Sequence, residues 1–533
     1  MVQNVFLVTL LIIFAAYGIV VFQPIEFLLE YFLLDDSFYY FKTASNIALG
    51  LGPTFDGEHF TNGYHPLWMG ISVIVHYLFP EATIAPIKIM LFFSILLFLG
   101  TMLLIRTIIA RFSSNVFLQG LGMLWYALNP WNISFYFSGL ETPLALFFTA
   151  LTLLLLIDVI RDGRAVRMLQ LGITSGLLIL SRLDYALFPF VILLYFVLRR
   201  RDFFWKKVLL FVVPAGLIAS PWFLHNYFYF GSPIPASGLS YTLINYRLFF
   251  YKERGVFEII LWSLQALVGT IALNLTMIGI PVYFSLKNIT RSALSLGSVV
   301  AIVLVPIFYW HRIRRASFAM FVRSIAISPE GIALLLFTIS HMFLVVIHGA
   351  VRWSGRPWYF ATFPMIVLIA TSIIFSHYET ERIIRRAVPA LFVVGLVLFG
   401  YQATRLFPQH QNQIEMYRAA LWVQNNTSPH ARIASFNSGI HGYFTNRFLM
   451  NSDGLINNAA YEAMRENRLW ELFKRERIDY ILDYDIVLSY RYKSFFGISD
   501  PLARVQKIDL SPYIGTSGSY GGSHVNLYKI IYD

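Results

Sequence analysis

Apolar runs close to the length needed to cross a lipid bilayer recur along most of the chain, from Val5 to Gln402. A helix needs about 20 mainly apolar residues to span the hydrocarbon core, so these runs predict many spans rather than one anchor. Composition agrees, because 57% of the residues are hydrophobic and only 13% are charged, too apolar for a soluble domain of this length. The chain is therefore predicted to be a polytopic α-helical membrane protein.

Basic residues fall in the short breaks between the apolar runs. This is the positive-inside pattern, and it accounts for the net charge of +12 without a nucleic-acid partner. The first run, roughly Val5 to Phe22, lacks a basic leader and a small-residue cleavage site, so we expect a retained helix. The basic breaks are Arg106 to Arg111, Arg161 to Arg167, Arg199 to Lys207, Arg312 to Arg315 and Arg382 to Arg386.

Placing these breaks in the cytosol fixes which segments face outward. The outward segments are residues 24–82, the turns at 138–141, 182–184 and 349–358, the loop 225–256, and everything after about 402. We expect His65 to Phe79 to lie in or dip into the outer interface. For the basic break after Trp310 to be cytosolic, the chain must cross the membrane an odd number of times between Val256 and Trp310, yet two apolar runs are visible there. We therefore predict about 11 spans, with 13 as the alternative.

Residues 405–533 have the composition of a soluble domain, in contrast to the membrane domain of residues 1–404. MYRAALWVQNNT predicts an amphipathic helix, ARIASFN and DYILDY predict short buried strands, and AYEAMRENRLWELFKRERI predicts a surface helix. Together they indicate a small C-terminal α/β domain. It should be extracytoplasmic, since the last apolar run starts from a basic cytosolic break. The chain has no cysteine, which excludes disulfides and thiolate metal sites.

An Asp-Asp pair, Asp35 and Asp36, stands where the first apolar run ends and opens the stretch DDSFYYFKTASNIALG. Paired carboxylates at a membrane exit are costly to keep ionised and do not help spanning, which favours a chemical role. If this stretch is helical, Tyr39 and its polar neighbours share one face while Phe38 and Phe41 face lipid or protein. The structural alternative is that Asp35 is only an N-cap and Asp36 a first-turn charge.

Two further outward segments strengthen the chemical interpretation. The stretch GLGPTFDGEHFTNGYHPLW carries His59 and His65, and the turn SGLETPL carries Glu141. A glutamate just before a helix-starting proline is a common cap, so Glu141 alone indicates little. Acidic turns with imidazole and aromatic groups between them make a better candidate site than any single one.

The ordered motifs DDSFYYFKTASNIALGLGPTF, TNGYHPLW, SGLETPL and SRLDY resemble the GT-C class of membrane glycosyltransferases, over roughly Asp35 to Tyr185. They are similar to bacterial enzymes of the mycobacterial terminal arabinofuranosyltransferase type. The resemblance implies an inverting glycosyltransferase that moves a sugar from a polyprenyl-phosphate donor to a hydroxyl of a glycan, lipid or protein at the outer face of the cytoplasmic membrane. Asp184 departs from the family, which usually has Glu there.

The resemblance also implies roles for individual residues. Asp35 would be the base that takes the acceptor proton, with Asp36 as its partner. Four residues are candidates for acceptor or cation binding: Glu141, His59, His65 and Tyr39. A divalent cation (Mg, Mn or Ca) is a candidate cofactor, with Asp36 and Glu141 as its ligands.

Two neighbouring carboxylates stay ionised together only if a cation lies nearby, and binding of a lipid phosphate needs a second cation. Arg356 is the favoured phosphate ligand because a guanidinium grips phosphate oxygens bidentately. The other candidates are Arg352, Arg182 and Lys42. The aromatic loop from His225 suits either a binding segment or an interface belt.

The strongest rival from another class is a transporter or flippase for a lipid-linked sugar. Transporters usually carry charges at mid-membrane and inverted repeats, and the sequence shows neither. A non-catalytic receptor would leave the first-loop carboxylates unexplained, and no HExxH spacing supports a metal hydrolase.

Overall fold

A computed structural model describes residues 2–199, 205–250, 255–280, 326–350, 356–377, 382–407, 411–515 and 522–532. Up to Leu406 the described chain is almost wholly helical. Its α-helices are Val2–Val21, Ile25–Tyr31, Asp35–Ala48, Pro66–Leu78, Ala85–Ala110, Val116–Leu128, Pro130–Phe137, Thr142–Asp162, Ala165–Ser181, Leu187–Leu198, Trp205–Phe230, Ala236–Phe250, Val256–Met277, Pro329–Ala350, Phe363–His377 and Arg382–Leu406.

Within the described ranges, seven helices are long and apolar enough to cross a membrane. An eighth span is added if Phe6–Val21 and Ile25–Tyr31, which meet at 109°, count as one broken crossing. The shorter apolar helices are Pro66–Leu78, Val116–Leu128, Ala165–Ser181 and Leu183–Leu198. The protein is thus a multi-pass membrane protein. The odd number of crossings expected between Val256 and Trp310 falls largely on residues outside the described ranges.

The Asp-Asp stretch forms the predicted helix, Asp35–Ala48, which we term the acidic helix. Its N-cap is Leu34, so Asp35 and Asp36 occupy the first turn and Asp35 is not the cap. The backbone N–H of Leu34 donates to the carbonyl of Ser138 at 3.1 Å, which ties the start of this helix to the turn that carries Glu141.

The segment from His225 to about Val256 is not the loop expected from its sequence. His225 lies in the last turns of helix Trp205–Phe230, and after a short turn the chain forms a second helix, Ala236–Phe250. The glycine and prolines that suggested a loop, Gly231, Pro233 and Pro235, all lie in the short turn between these two helices.

The C-terminal part forms the predicted α/β domain around a five-stranded sheet. The strands are β1 (Arg432–Ser435), β2 (Phe448–Asn451), β3 (Tyr480–Tyr484), β4 (Val505–Asp509) and β5 (Val525–Ile530). Their order is β2-β1-β3-β5-β4, with β1 parallel to β2 and β3, and β5 antiparallel to β3 and β4. The domain's α-helices are Gln411–Asn426, Gly439–Phe444, Asn458–Arg465, Leu469–Arg475 and Ser511–Ile514.

The single surface helix expected between β2 and β3 is two helices. Asn458–Arg465 ends where Asn467 adopts a left-handed backbone with φ of 56°. The second helix is Leu469–Arg475. Asparagine tolerates the left-handed region better than most residues, so the break has a local cause.

The C-terminal domain rests on the acidic helix and on the loop that follows it. The ring of Phe38 packs against those of Tyr443 and Phe444, at 5.5 and 5.4 Å between centroids. At Gly63 a Cβ would lie 1.8 Å from the carbonyl oxygen of Leu455, so only glycine allows this backbone contact. The apolar face of the acidic helix therefore meets protein, one of the two environments expected for it.

Candidate active site

Asp35 lies at the junction of the membrane helices and the C-terminal domain. Its Oδ1 accepts a hydrogen bond of 2.7 Å from the backbone N–H of Ile440, in the first turn of helix Gly439–Phe444. Burial raises the pKa of the Asp35 carboxyl to about 8, and the neighbouring Asp36 carboxylate adds to the shift. Catalytic acids and bases are commonly carboxyl groups that lie beside a cavity and have a raised pKa.

Asp36 forms an ion pair with Arg356, through Oδ2 and Nη1. The Arg356 guanidinium also lies over the ring of Tyr241 at 4.6 Å and over Trp358 at 5.5 Å from the ring centroids. Cation–π contacts hold a guanidinium in one orientation. Three segments that are far apart in the sequence thus converge here, and Arg356 is the one of the four candidate cations that pairs with Asp36 within the described part of the chain.

Glu141 is buried at the centre of a second group of polar side chains. Tyr40 Oη donates to its Oε2 at 3.0 Å, and Arg182 Nη1 lies 2.7 Å from its Oε1. His65 Nδ1 accepts from the backbone N–H of Leu183 at 3.1 Å, which leaves the proton of the neutral ring on Nε2, 3.6 Å from Glu141 Oε1. Burial lowers the pKa of His65, consistent with a neutral imidazole.

Two cavities meet at the Asp36–Arg356 pair. The first, which we term the inner cavity, has a volume of about 80 Å³ and is lined by Asp36, Tyr40, His65 and Glu141 among others. The second, termed the domain cavity, has a volume of about 260 Å³ and lies between the membrane helices and the C-terminal domain. Asp36, Tyr39, Arg356 and Trp358 line both, whereas Asp35 lines the domain cavity.

The C-terminal domain supplies cavity residues that the sequence analysis missed. Asn437, Asp453 and Arg491 line the domain cavity, and each follows the carboxyl end of one parallel strand: β1, β2 and β3 respectively. Ligands of sheets with parallel strands bind beyond these ends. The sequence signal was the polar turn after β1 and after β2, such as Asn-Ser-Asp-Gly at residues 451–454, whereas Arg491 ends a helical segment after β3.

Other predicted site residues lie away from these cavities or are engaged elsewhere. His59 contacts Asp56 at 2.9 Å and Glu476 at 3.4 Å, where the loop after the acidic helix meets the C-terminal domain. Lys42 is not part of the lining of either cavity, and burial lowers its pKa. Arg352 falls outside the described residues.

Arg182 is wholly buried beneath the inner cavity. Besides Glu141, its guanidinium contacts Asp184, with Nε 3.0 Å from Oδ1, and it lies 4.3 Å from the ring centroid of Tyr359. Two carboxylates already balance its charge. This environment suits an arginine that holds Glu141 in place.

The residues suggested for a divalent cation do not fit one as they are arranged. Asp36 and Glu141 are each ion-paired to an arginine. Over the described part of the chain, no three histidine, aspartate or glutamate side chains converge as metal ligands.

Comparison with known proteins shows that the chain has a known fold. A family model described as a domain of unknown function (DUF8728) matches residues 403–528, and no curated protein matches the chain. The structure is similar to ArnT from Cupriavidus metallidurans bound to undecaprenyl phosphate, with a TM-score of 0.55 and 12% identity over 97% of this chain and 97% of that chain.

A weaker likeness is found to the archaeal oligosaccharyltransferase AglB from Archaeoglobus fulgidus, in complex with an inhibitory peptide and a dolichol-phosphate. Its TM-score is 0.46 at 12% identity, over 97% of this chain and 75% of that chain. The similarity to ArnT along the whole chain establishes the architecture. It is a GT-C-like fold, with a polytopic helical membrane domain followed by a C-terminal α/β domain, as the sequence predicted.

Proposed function

We propose that this protein is an inverting glycosyltransferase that moves a sugar from a polyprenyl-phosphate donor to an acceptor hydroxyl at the outer face of the cytoplasmic membrane. The observation that carries the proposal is the meeting of Asp35, Asp36 and Arg356 at one polar cavity. A base, a positioning carboxylate and a cation for phosphate are the groups that such a transfer needs.

In the proposed reaction the acceptor oxygen attacks the anomeric carbon while its proton passes to the Asp35 carboxylate. The bond from the anomeric carbon to the phosphate oxygen breaks, and its electron pair leaves with polyprenyl phosphate. A single displacement of this kind inverts the anomeric centre. The raised pKa of Asp35 suits a base, because proton transfer is most effective when the pKa of the catalytic group is near the working pH.

Arg356 is the proposed ligand of the donor phosphate. It lies at the wall shared by both cavities, so its guanidinium can exchange the Asp36 carboxylate for phosphate oxygens without leaving the site. Charge-assisted contacts to the phosphate also stabilise the negative charge that grows on the leaving group. Asp36 would then hold Arg356 in place when no donor is bound.

The nature of the donor is supported by the structural neighbour. ArnT, whose structure holds undecaprenyl phosphate, is similar along almost the whole of both chains. The resemblance to terminal arabinofuranosyltransferases makes a polyprenyl-phosphate arabinofuranose the first donor to test, followed by hexose donors.

The test uses membranes from cells with and without the intact protein, supplied with a radiolabelled polyprenyl-phosphate sugar. We expect label to leave the lipid only when the protein is present. A flippase would move the intact lipid across the membrane without breaking the sugar–phosphate bond, and that result would replace the transferase proposal.

The side of the membrane is tested separately with reporters that work only outside the cytoplasm. Fusions after Gly63 and Ser428 should be active, because the first outward segment and the C-terminal domain are proposed to be extracytoplasmic. A fusion after Gly163 should be silent, and activity there would place the site in the cytosol.

A further inference from the structure

The part of the domain cavity formed by the C-terminal domain is rich in side chains that both donate and accept hydrogen bonds. Asn412, Gln413 and Asn437 supply three amides, and Asp453 and Arg491 supply one charge of each sign. Amide groups carry two donors and an acceptor in one plane. Few ligands match such a lining; a polyhydroxylated molecule does, because each hydroxyl also donates and accepts.

Gln413 gives independent support for a ligand at this place. Its side chain is only 4% exposed, and its Oε1 has no hydrogen-bond partner in the structure. A buried carbonyl without a partner is unfavourable by about 1–3 kcal/mol, and native proteins rarely leave one so. Gln413 lines the cavity, and although its Oε1 is buried as placed, a change of side-chain rotamer would bring the amide to a hydroxyl bound there.

The position of Asp35 decides which substrate enters the domain cavity. Asp35 lines the domain cavity but is not part of the lining of the inner cavity, and the base must reach the hydroxyl of the acceptor. The volume of about 260 Å³ equals that of roughly nine water molecules in the liquid, enough for a single sugar ring.

We propose that the domain cavity is the acceptor subsite and that the acceptor is a carbohydrate, bound through its hydroxyls by Asn412, Gln413 and Asp453. This inference rests on the proposed transferase function and narrows its acceptor from any hydroxyl-bearing molecule to a sugar. The C-terminal domain then selects the acceptor, while the membrane helices bind the donor.

The first experiment identifies the bond that the protein makes. Envelope material from the cells that produce the protein is incubated with the radiolabelled polyprenyl-phosphate sugar, and the labelled product is analysed by methylation and by hydrolysis. We expect the label as a terminal residue in glycosidic linkage to another sugar. Label on a serine, threonine or asparagine side chain, or on a phospholipid headgroup, overturns the inference while leaving the transferase function in place. If no label leaves polyprenyl phosphate, both proposals fail.

The second experiment separates acceptor binding from donor binding. Gln413→Ala and Asn412→Ala should each raise the acceptor concentration for half-maximal transfer roughly three- to tenfold, from the net strength of one hydrogen bond, with the donor KM at the wild-type value. Gln424→Ala, on the same helix and outside the cavity lining, is the matched control. If both cavity variants need the same acceptor concentration as wild type for half-maximal transfer, the acceptor subsite is not in the domain cavity. If Gln424→Ala raises this concentration as much as the cavity variants do, the effect comes from the helix as a whole, and the proposal is likewise wrong.

Discussion

Replacing Asp35 by asparagine should abolish most of the transfer activity without unfolding the protein. Asparagine keeps the carbonyl oxygen that accepts the 2.7 Å hydrogen bond from Ile440, so the C-terminal domain should stay docked. It removes only the basicity, and a general base typically contributes a factor of 10² to 10⁴ in rate, or about 2.7 to 5.5 kcal/mol. Initial rates of label transfer from the polyprenyl-phosphate donor measure the change.

The matched control is Asp500→Asn, which removes an exposed carboxylate whose Oδ1 likewise accepts a backbone N–H, from Leu502 at 3.2 Å. It should transfer at the wild-type rate. Transfer by Asp35→Asn within tenfold of wild type would refute the assignment of the base.

The pH dependence of the wild-type enzyme follows from the same carboxyl. With the pKa of Asp35 at about 8, roughly one tenth of it is ionised at pH 7, so kcat/KM should rise with pH and level off above about 8.

The effect on stability has the opposite sign: the folded pKa is raised above the value of about 3.9 in the unfolded chain, so stability falls as pH rises through about 8. Asp35→Asn should therefore melt at a higher temperature than wild type at alkaline pH, and a lower melting temperature there contradicts the burial argument.

Arg356→Ala should raise the donor KM roughly ten- to hundredfold, because it removes a charged hydrogen bond of about 1.5–3 kcal/mol. Arg356→Lys should restore only part of the donor affinity. An unchanged donor KM in the alanine variant would show that Arg356 does not bind the phosphate. Gly63→Ala should destabilise the protein by about 1–3 kcal/mol, because the new Cβ would lie 1.8 Å from the carbonyl oxygen of Leu455. The control is Gly70→Ala, whose Cβ would have nothing within 4 Å, and it should not lower the melting temperature. Arg182→Met should destabilise by about 3–5 kcal/mol, since it leaves buried carboxylates without their cation; a melting temperature equal to wild type would show that this pair is not structural.

Local patterns in the sequence were sufficient for the multi-pass helical class of the chain and for the α/β class of its C-terminal domain. The acidic helix and helix Pro66–Leu78 follow from periodicity and a helix-starting proline. The sequence predicted that the Glu141 turn and the acidic helix lie on the same side of the membrane, and the structure brings them into contact through Tyr40 and Glu141. Sidedness does not tell which cation meets which carboxylate, and Arg182 pairs with Glu141 rather than lying open to a phosphate.

The contribution of the C-terminal domain could not be read from local patterns. Gln413 and Asp453 lie more than 350 residues from Asp35 along the chain. Nothing near Gln413 marks it as part of this site, and Asp453 is marked only by the polar turn at residues 451–454. Their proximity to Asp35 depends on how the C-terminal domain packs on the membrane domain. That packing uses the close backbone approach at Gly63 and the ring contact of Phe38 with Tyr443, which are visible only in the folded chain. The polar turns after the parallel strands were the available signal, once the strands were recognised as parallel.

The most direct test of the account is the anomeric configuration of the sugar that the purified protein transfers. With the protein in liposomes, a donor of known anomeric configuration and envelope acceptor, nuclear magnetic resonance of the product reports the configuration of the new bond. Direct attack assisted by Asp35 predicts inversion, and at least about a hundredfold less product from Asp35→Asn in the same time. Retention of configuration, or product formed equally well by the variant, would contradict the single displacement on which the proposed function rests.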